Sequence, residues 1–328
     1  MGTMTPEHDS AGFLLPERLA TTLAHAGLDA AAWGERLPGL VAETATAWGL
    51  TIGEPYAGGS WSLVLEATRG GEACVLKMVL PDQSGHDQIR VLEAAHGRGV
   101  VRLLAADVDR GAMLLERLEP APSPSWDETP AQIARALGHF WEATRHLAAD
   151  PSSTPAHQHK AAGLIGLIDD LRHHAEPRHQ PVVDRARALA EERLAAHDPR
   201  RDVFCHGDPH PGNLMLRPLP TGDSELVLVD ADGISGCEPE YDLGVILRSW
   251  IEVIESADDP HALLTTKADE LAALTATDAA AIVAWATIER VTTGLYLRHL
   301  GHDGEGLSHL DTAVRLLELR TPPQSVRK

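Results

Sequence analysis

From Phe204 to Asn213 the chain reads Phe-Cys-His-Gly-Asp-Pro-His-Pro-Gly-Asn. Pro209, Pro211 and Gly212 bar a regular helix through this stretch, so His206, Asp208 and Asn213 are predicted to project from a stiff loop. Leu226-Val227-Leu228-Val229 follows, a short apolar run of strand type that ends in Asp230. These are the groups that phosphoryl transfer asks for. One carboxylate receives the proton of an attacking hydroxyl. A second carboxylate and a carboxamide fix a hard divalent cation against charged phosphates. A Pro/Gly loop with incidental polar side chains accounts for the composition. It does not account for the spacing, the flanking strand and the following Asp together.

The same order, His-x-Asp and then Asn after four residues, marks the catalytic loop of protein kinases. Upstream, Pro16–Ala26 and Ala30–Trp48 have the spacing of two amphipathic helices. Pro38 interrupts the second, which is expected to begin at or after it, and Gly49 is its expected stop. The period then changes. Trp61–Thr68 and Ala73–Leu80 are β-like runs joined across Arg69-Gly70-Gly71-Glu72, a hairpin signal. Ahead of them, Gly58-Gly59-Ser60-Trp61-Ser62 is a small-residue turn that either lays backbone N–H groups over phosphates or only reverses the chain. Lys77 sits mid-strand among Val75, Leu76, Met78 and Val79. An exposed strand lysine is the ordinary case. One hairpin after a glycine turn, however, is where a kinase keeps the lysine that pairs with ATP phosphates. Such a lysine is held by a helix carboxylate; Asp87–His96 is predicted as that helix, with both Asp87 and Glu93 available.

Val100–Leu104 and Ala112–Leu118 look like two further strands. Glu119–Ser125, with Pro120, Pro122 and Pro124 at alternate positions, breaks regular structure and reads as a linker. Residues 1–118 are thus expected to form a smaller sheet-bearing lobe, 119–125 a hinge and 126–328 a larger helical lobe. Helices are predicted over Pro130–Ala148, Lys160–His174, Pro181–His197, Tyr241 to about Ile254, Thr277–Leu300 and Leu307–Leu319. Asp242, in a first helical turn, either faces solvent or braces the loop. His157, His159, His173, His174 and His179 lack metal-ligand spacing and read as a solvated surface. His206 and His210 are four apart, as in HExxH zinc sites, but no helix carries them and residue 207 is Gly.

Lys and Arg number 28 against 48 Asp and Glu, a formal charge of −20. That balance speaks against nucleic acid and anionic membranes as partners and for a cationic ligand. Cys74, Cys205 and Cys237 are widely spaced without a CxxC pair, as expected of free thiols in a reducing compartment. The N-terminal residues lack a basic-then-apolar signal, and no apolar run is as long as a membrane span. A cytoplasmic protein is expected.

Taken together, these residues resemble the aminoglycoside phosphotransferases, and within them the branch of streptomycin-type and hydroxyurea phosphotransferases. The resemblance is carried by Trp48-Gly-Leu-Thr-Ile-Gly-Glu-Pro-Tyr-Ala-Gly-Gly-Ser60, Ala73-Cys-Val-Leu-Lys77 and Gly97-Arg-Gly-Val-Val-Arg-Leu-Leu104. Leu114-Leu-Glu-Arg-Leu118, His206-Gly-Asp-Pro-His-Pro-Gly-Asn213 and Tyr241-Asp-Leu-Gly244 extend it. It implies a two-lobed, kinase-like α+β fold, an antiparallel sheet in the small lobe, and ATP with Mg2+ as cofactors. It further implies Asp208 as catalytic base, Asn213 and Asp230 as metal ligands, and Lys77 on the ATP phosphates. Gly59 and Ser60 would cover those phosphates, Glu116 and Leu118 would offer backbone contacts to adenine, and His206 would brace the loop. The γ-phosphoryl group would pass to a hydroxyl of a cationic, aminoglycoside-type antibiotic, conferring resistance, in a monomer or homodimer. Choline, homoserine, fructosamine and macrolide kinases look similar at the loop, so the loop alone does not choose the acceptor. The acids Glu238, Glu240, Glu252, Glu255, Asp258, Asp259 and Glu289 are available to a polycation or to solvent. Two positions depart from the pattern: Gln88 aligns where relatives carry the lysine-pairing Glu, and Pro209 where they often carry Leu. Two other readings stand beside this one: a kinase of small metabolites or other antibiotics, such as hydroxyurea or macrolides, and a nucleotide-binding protein with weak or no turnover.

Overall fold

The computed structural model describes residues 16–25, 28–56, 61–148, 159–232 and 234–318. They divide into two compact units, one holding the described residues up to His86 with Leu103–Arg117, the other holding Asp87–Arg102 and those from Leu118 on. The first unit begins with helices α1 (Glu17–His25) and α2 (Leu28–Trp48). Pro38 lies inside α2 rather than at its start. It forfeits one helical hydrogen bond, but Leu37, Leu40 and Val41 around it are buried in the core, and packing of that stripe carries the helix through.

The strands β1 (Leu50–Pro55), β2 (Ser62–Arg69) and β3 (Glu72–Val79) follow. Helix α3 (Gln83–Ala95) begins in the first unit and ends in the second, and β4 (Leu103–Asp107) and β5 (Ala112–Glu116) complete a sheet ordered β1-β2-β3-β5-β4. Neighbours run antiparallel throughout. Gly70 and Gly71 close the β2–β3 hairpin with φ of 61° and 90°, the paired positive angles of a two-residue turn that suits strand twist. Leu63 and Leu65 of β2 and Cys74, Leu76 and Met78 of β3 pack with Leu19, Leu23, Trp33 and Leu37 of the helices. Strand alternation puts Lys77 on the other face of the sheet. Edge strand β1 was not foreseen, because Gly53 and Pro55 depress its strand signal.

The expected strand at Val100–Leu104 is displaced. Val100 bridges in parallel to Leu228, and the strand itself starts at Leu103. Gly99 forces this local path: at φ 72° a Cβ would sit 2.0 Å from the Ala136 carbonyl oxygen, so the chain passes where only glycine fits. The linker contains a short strand, β6 (Glu119–Pro120), followed by α4 (Thr129–Ala148), α5 (Lys160–Leu171) and α6 (Gln180–Ala195). Then come β7 (Val203–Cys205), β8 (Leu214–Pro218), β9 (Ser224–Leu228) and β10 (Ile234–Cys237), forming a β10-β7 pair and a β6-β8-β9 sheet. The helix expected from Tyr241 to Ile254 is two, α7 (Glu240–Arg248) and α8 (Ile251–Ser256), broken at Trp250 (φ −101°, ψ 52°) where its ring meets Trp126 edge-on at 5.5 Å. Helix α9 (Pro260–Thr275) was unforeseen although Asp259 caps it by accepting from the Ala262 N–H (2.9 Å). Helices α10 (Ala279–His299) and α11 (Asp303–Glu318) complete the unit.

The histidine-rich stretch is only in part the expected solvated surface, with His173 exposed. His159 and His179 are buried. His159 Nδ1 caps α5 by accepting from Ala161 N–H (3.2 Å), and His179 Nε2 lies 2.8 Å from Asp311 Oδ1. His157 lies outside the described residues. Among those residues no helix is long and apolar enough to cross a membrane.

Candidate active site

Strand β7 is only three residues long, but its pairing with β10 fixes where the loop at His206 leaves the sheet. Gly207 follows at φ 100°, a left-handed angle that turns the chain back. From beneath, Asp242 in the first turn of α7 receives three N–H bonds. Oδ2 accepts from His206 N–H (2.8 Å) and Trp141 Nε1–H (3.0 Å), and Oδ1 from Gly207 N–H (3.0 Å). Tyr241 OH donates to the Gly207 carbonyl (3.2 Å). Asp242 therefore braces the loop rather than facing solvent. Burial pushes its carboxyl up to about 6, against the three donors. His206 is fully buried, and burial pushes its imidazole down to about 4, against the pull of Asp208 and Asp230.

Asp208 is the contrasting acid. Its side chain is 40% open to solvent, with Oδ1 2.5 Å from Arg248 Nη2 at the end of α7. On the other side His210 Nε2 stands 3.6 Å from Oδ2, while His210 Nδ1 accepts from Gly212 N–H (3.0 Å). The surrounding protein alone would raise the Asp208 carboxyl; Arg248 first, then His210, outweigh that and hold it below its ordinary value. Burial lowers the His210 imidazole despite the neighbouring carboxylate. Arg248, 15% exposed, also donates through Nη1 to Glu289 Oε2 (3.1 Å) and Thr293 Oγ1 (3.3 Å) on α10. Burial opposes its charge, but Asp208 and Glu289 raise its pKa above the usual guanidinium value.

Asn213 ends the loop in a tight turn over Pro211–Asn213. Its Nδ2 donates to the Asp208 carbonyl (2.9 Å), and its own carbonyl accepts from Val229 N–H (2.9 Å). That bond sets Asp230, the next residue, beside Asn213. Asp230 is exposed at φ 60°, unusual for a residue with a Cβ. With its amide nitrogen spent on Asp208, Asn213 has its oxygen left for a cation. An amide oxygen and a carboxylate are the hard donors Mg2+ takes, and Mg2+ usually keeps only one or two protein carboxylates and completes its shell with phosphate and water.

In the first unit Lys77 is buried, not solvent-facing, and pairs in register with Val64 and Met113. Glu116 ends β5, and Leu118 is buried beyond it. Asp87 and Gln88 are half-buried on α3 and Glu93 is exposed. Gly59 and Ser60 lie outside the described residues. The structure thus gathers Asp208, Asn213 and Asp230 in one place and adds Arg248, which no sequence signal marked, and His210, which the sequence offered only as a zinc-type pair with His206. Of the acids available to a polycation or to solvent, Glu289 holds Arg248, Glu238 accepts from Trp285 Nε1 (2.7 Å) and Arg193 (3.1 Å), and Glu240 pairs with Arg201. Asp258 and Asp259 line a cavity of about 470 Å³ with Trp126, Asp127, Lys267 and Glu270.

The family model described as "Phosphotransferase enzyme family" matches residues 52–277. The chain is 32% identical over 260 residues to a streptomycin 6-kinase of Streptomyces glaucescens, covering 74% of this chain and 78% of that one. It is also 32% identical over 205 residues to a hydroxyurea phosphotransferase of Kitasatospora aureofaciens, covering 61% and 58% of the two chains. An aminoglycoside phosphotransferase solved as a ternary complex with ADP and hygromycin B shares the fold at a TM-score of 0.54 and 14% identity, over 83% of this chain and 97% of that one. A sheet-bearing unit, a mainly helical one and a family match over well over half the chain agree: the protein belongs to the phosphotransferase enzyme family.

Proposed function

We propose that this phosphotransferase moves the γ-phosphoryl group of ATP to a hydroxyl of an aminoglycoside-type antibiotic, streptomycin-like in class. The observation that carries the reading is Asp208: an ionised carboxylate, partly open, with its backbone carbonyl tied to Asn213. The acceptor oxygen attacks the γ-phosphorus, the bond to the β-bridging oxygen breaks, ADP leaves, and the hydroxyl proton passes to Asp208. The transition state is loose and asks little covalent chemistry of the protein, so rate comes from positioning and charge. Asp208 orients the hydroxyl, and the Asp242 brace holds the loop so that little of it must reorganise during transfer. Asn213 and Asp230 are the residues that would hold Mg2+, which supplies charge neutralisation on the phosphate oxygens. Lys77 is assigned to the nucleotide phosphates. The likeness to a streptomycin 6-kinase supports the acceptor class; the complex with ADP in a protein of similar fold supports the nucleotide.

A second acceptor reading has its own support. Glu238, Glu240 and Glu289 are spent on internal partners, and a cation, Arg248, already stands against Asp208. Fewer carboxylates are thereby left for a polycation, which favours a small uncharged acceptor of the hydroxyurea kind, in line with the second relative. ADP release with Mg-ATP across streptomycin, other aminoglycosides, hydroxyurea, macrolides and metabolite alcohols separates the two, with mass spectrometry on each hit for one added phosphate. A phosphorylated aminoglycoside establishes the first reading, phosphorylated hydroxyurea the second. ATP binding without ADP formation on any acceptor overturns both.

A further inference from the structure

Asp208 has two carboxylate oxygens, and a base that takes a proton from one direction needs only one of them. The partners of the two differ. Oδ1 lies 2.5 Å from Arg248 Nη2, whereas His210 Nε2 stands off Oδ2 at the longer distance of 3.6 Å. The guanidinium on Oδ1 is itself fixed from behind. Its other nitrogen, Nη1, reaches Glu289 Oε2 at 3.1 Å and Thr293 Oγ1 at 3.3 Å, and Arg248 and Glu289 are 15% and 7% exposed. A planar guanidinium with one nitrogen engaged on the catalytic loop and the other on α10 has lost the rotational freedom that a lone surface pair keeps. Arg290 is a second cation in the neighbourhood of Arg248. It is fully buried, donates through Nη2 to the Leu247 carbonyl (2.9 Å), and lies near enough to Arg248 that like-charge repulsion, after burial, helps hold its own pKa down at about 9. Retreat of Arg248 from Asp208 toward Arg290 is therefore opposed.

We propose that Arg248 is the positioning residue of the catalytic carboxylate: anchored on Glu289 and Thr293, it occupies Asp208 Oδ1 and leaves Oδ2 as the oxygen that meets the acceptor hydroxyl. The inference rests on the phosphotransfer reading given above. It adds a residue which acts through Asp208 and touches neither acceptor nor nucleotide. Without the clamp the carboxylate swings about its χ2 torsion, and both oxygens sample positions off the line of transfer. Turnover then falls while nucleotide binding, made elsewhere, does not.

The test compares full-length wild type with Arg248→Ala, Arg248→Lys and Thr293→Val, using the acceptor found in the panel. Arg248→Ala is expected to lower kcat about a hundredfold, the usual cost of a misplaced reacting group, with the KM for ATP within about twofold. Sub-denaturing guanidinium added to Arg248→Ala should restore kcat at least tenfold, because the small cation can refill the slot between Asp208 and Glu289. A merely structural role predicts no such rescue. Arg248→Lys keeps the charge but bridges Asp208 and Glu289 poorly, so an intermediate loss of about tenfold is expected, and it decides the matter should the alanine variant not fold. Thr293→Val loosens the anchor alone and should cost a few-fold in kcat. Turnover of a folded Arg248 variant within twofold of wild type, or no rescue by guanidinium, overturns the inference while the phosphotransfer reading stands. A wild type that phosphorylates no acceptor, like Asp208→Asn, overturns both together.

Discussion

Two carboxylate–arginine networks join α7 to α10, and they are built differently. At the start of α7, Glu238 and Glu240 are buried among Arg193, Arg201, the Trp285 indole N–H and the Asp278 backbone N–H. At its end, Arg248 lies between buried Glu289 and half-open Asp208. The first network is buried at both carboxylates. The second ends in a carboxylate whose side chain is 40% open to solvent. The same residue types thus give a fastening in one place and a reactive group in the other, and the deciding variable is whether the network reaches solvent.

Mutations should pull the two apart. The largest expected effect is at the open end. Asp208→Ala should lower kcat about a thousandfold, or about 4 kcal/mol in transition-state terms, with ATP affinity measured by calorimetry unchanged; near-normal turnover would remove Asp208 from the chemistry. At the buried network, Glu238→Ala strands a buried indole N–H and the part-buried Arg193, and should cost about 3 kcal/mol in urea unfolding while kcat per folded molecule stays within about twofold. A large drop in kcat there would erase the distinction. Trp285→Phe is the milder version: it removes one N–H bond to Glu238, and about 1 kcal/mol of stability should go with it.

The pH dependence of stability sharpens the comparison with the brace. Burial holds His159 and His206 at about 4 and His309 at about 3. Between those values and the ordinary 6.5 or so, the unfolded chain binds the protons, so their contribution is lost as pH falls through that window. Asp242, held at about 6, has the opposite sign: its contribution is full below about 4 and lost as pH rises through 6. With His174 and His210 lowered as well, five histidines stand against three raised carboxyls, Asp202, Glu238 and Asp242, so urea stability should climb from pH 4.5 to 6.5, and Asp242→Asn should climb more steeply over the same range. Equal slopes would mean that Asp242 does not carry the raised pKa.

The loop was legible in the sequence because its chemistry is local: His206, Asp208 and Asn213 sit within eight residues, with prolines and glycines that exclude other structures. The β2–β3 hairpin was legible for the same reason, through Gly70-Gly71. What escaped depends on distant partners. Strands β7 and β10 are three and four residues long, too short for any period, and exist because they find each other across the loop. Asp242 could be read two ways until His206, Gly207 and Trp141 were seen to donate to it. Arg248 looks like an ordinary basic residue at a helix C-terminus; only its crossing with α10 brings it between Asp208 and Glu289, each about forty positions away in sequence. Burial likewise reversed the reading of His159 and His179, whose polar neighbours in sequence gave no hint of it.

The three thiols give the molecule a set of internal clocks. Cys205 immediately precedes the loop, its Sγ 3.6 Å from the Glu238 carbonyl and 3.8 Å from that of Cys237, and burial pushes both thiols up, Cys205 the further. Neither is reactive while β7 and β10 stay paired, because a disulfide reagent needs an exposed thiolate. Their labelling rate therefore counts how often that strand pair parts. Cys74, buried in the sheet of the other unit, keeps separate time. A ligand that slows the first clock and leaves the second running has closed on the loop; one that slows only the second has settled on the sheet.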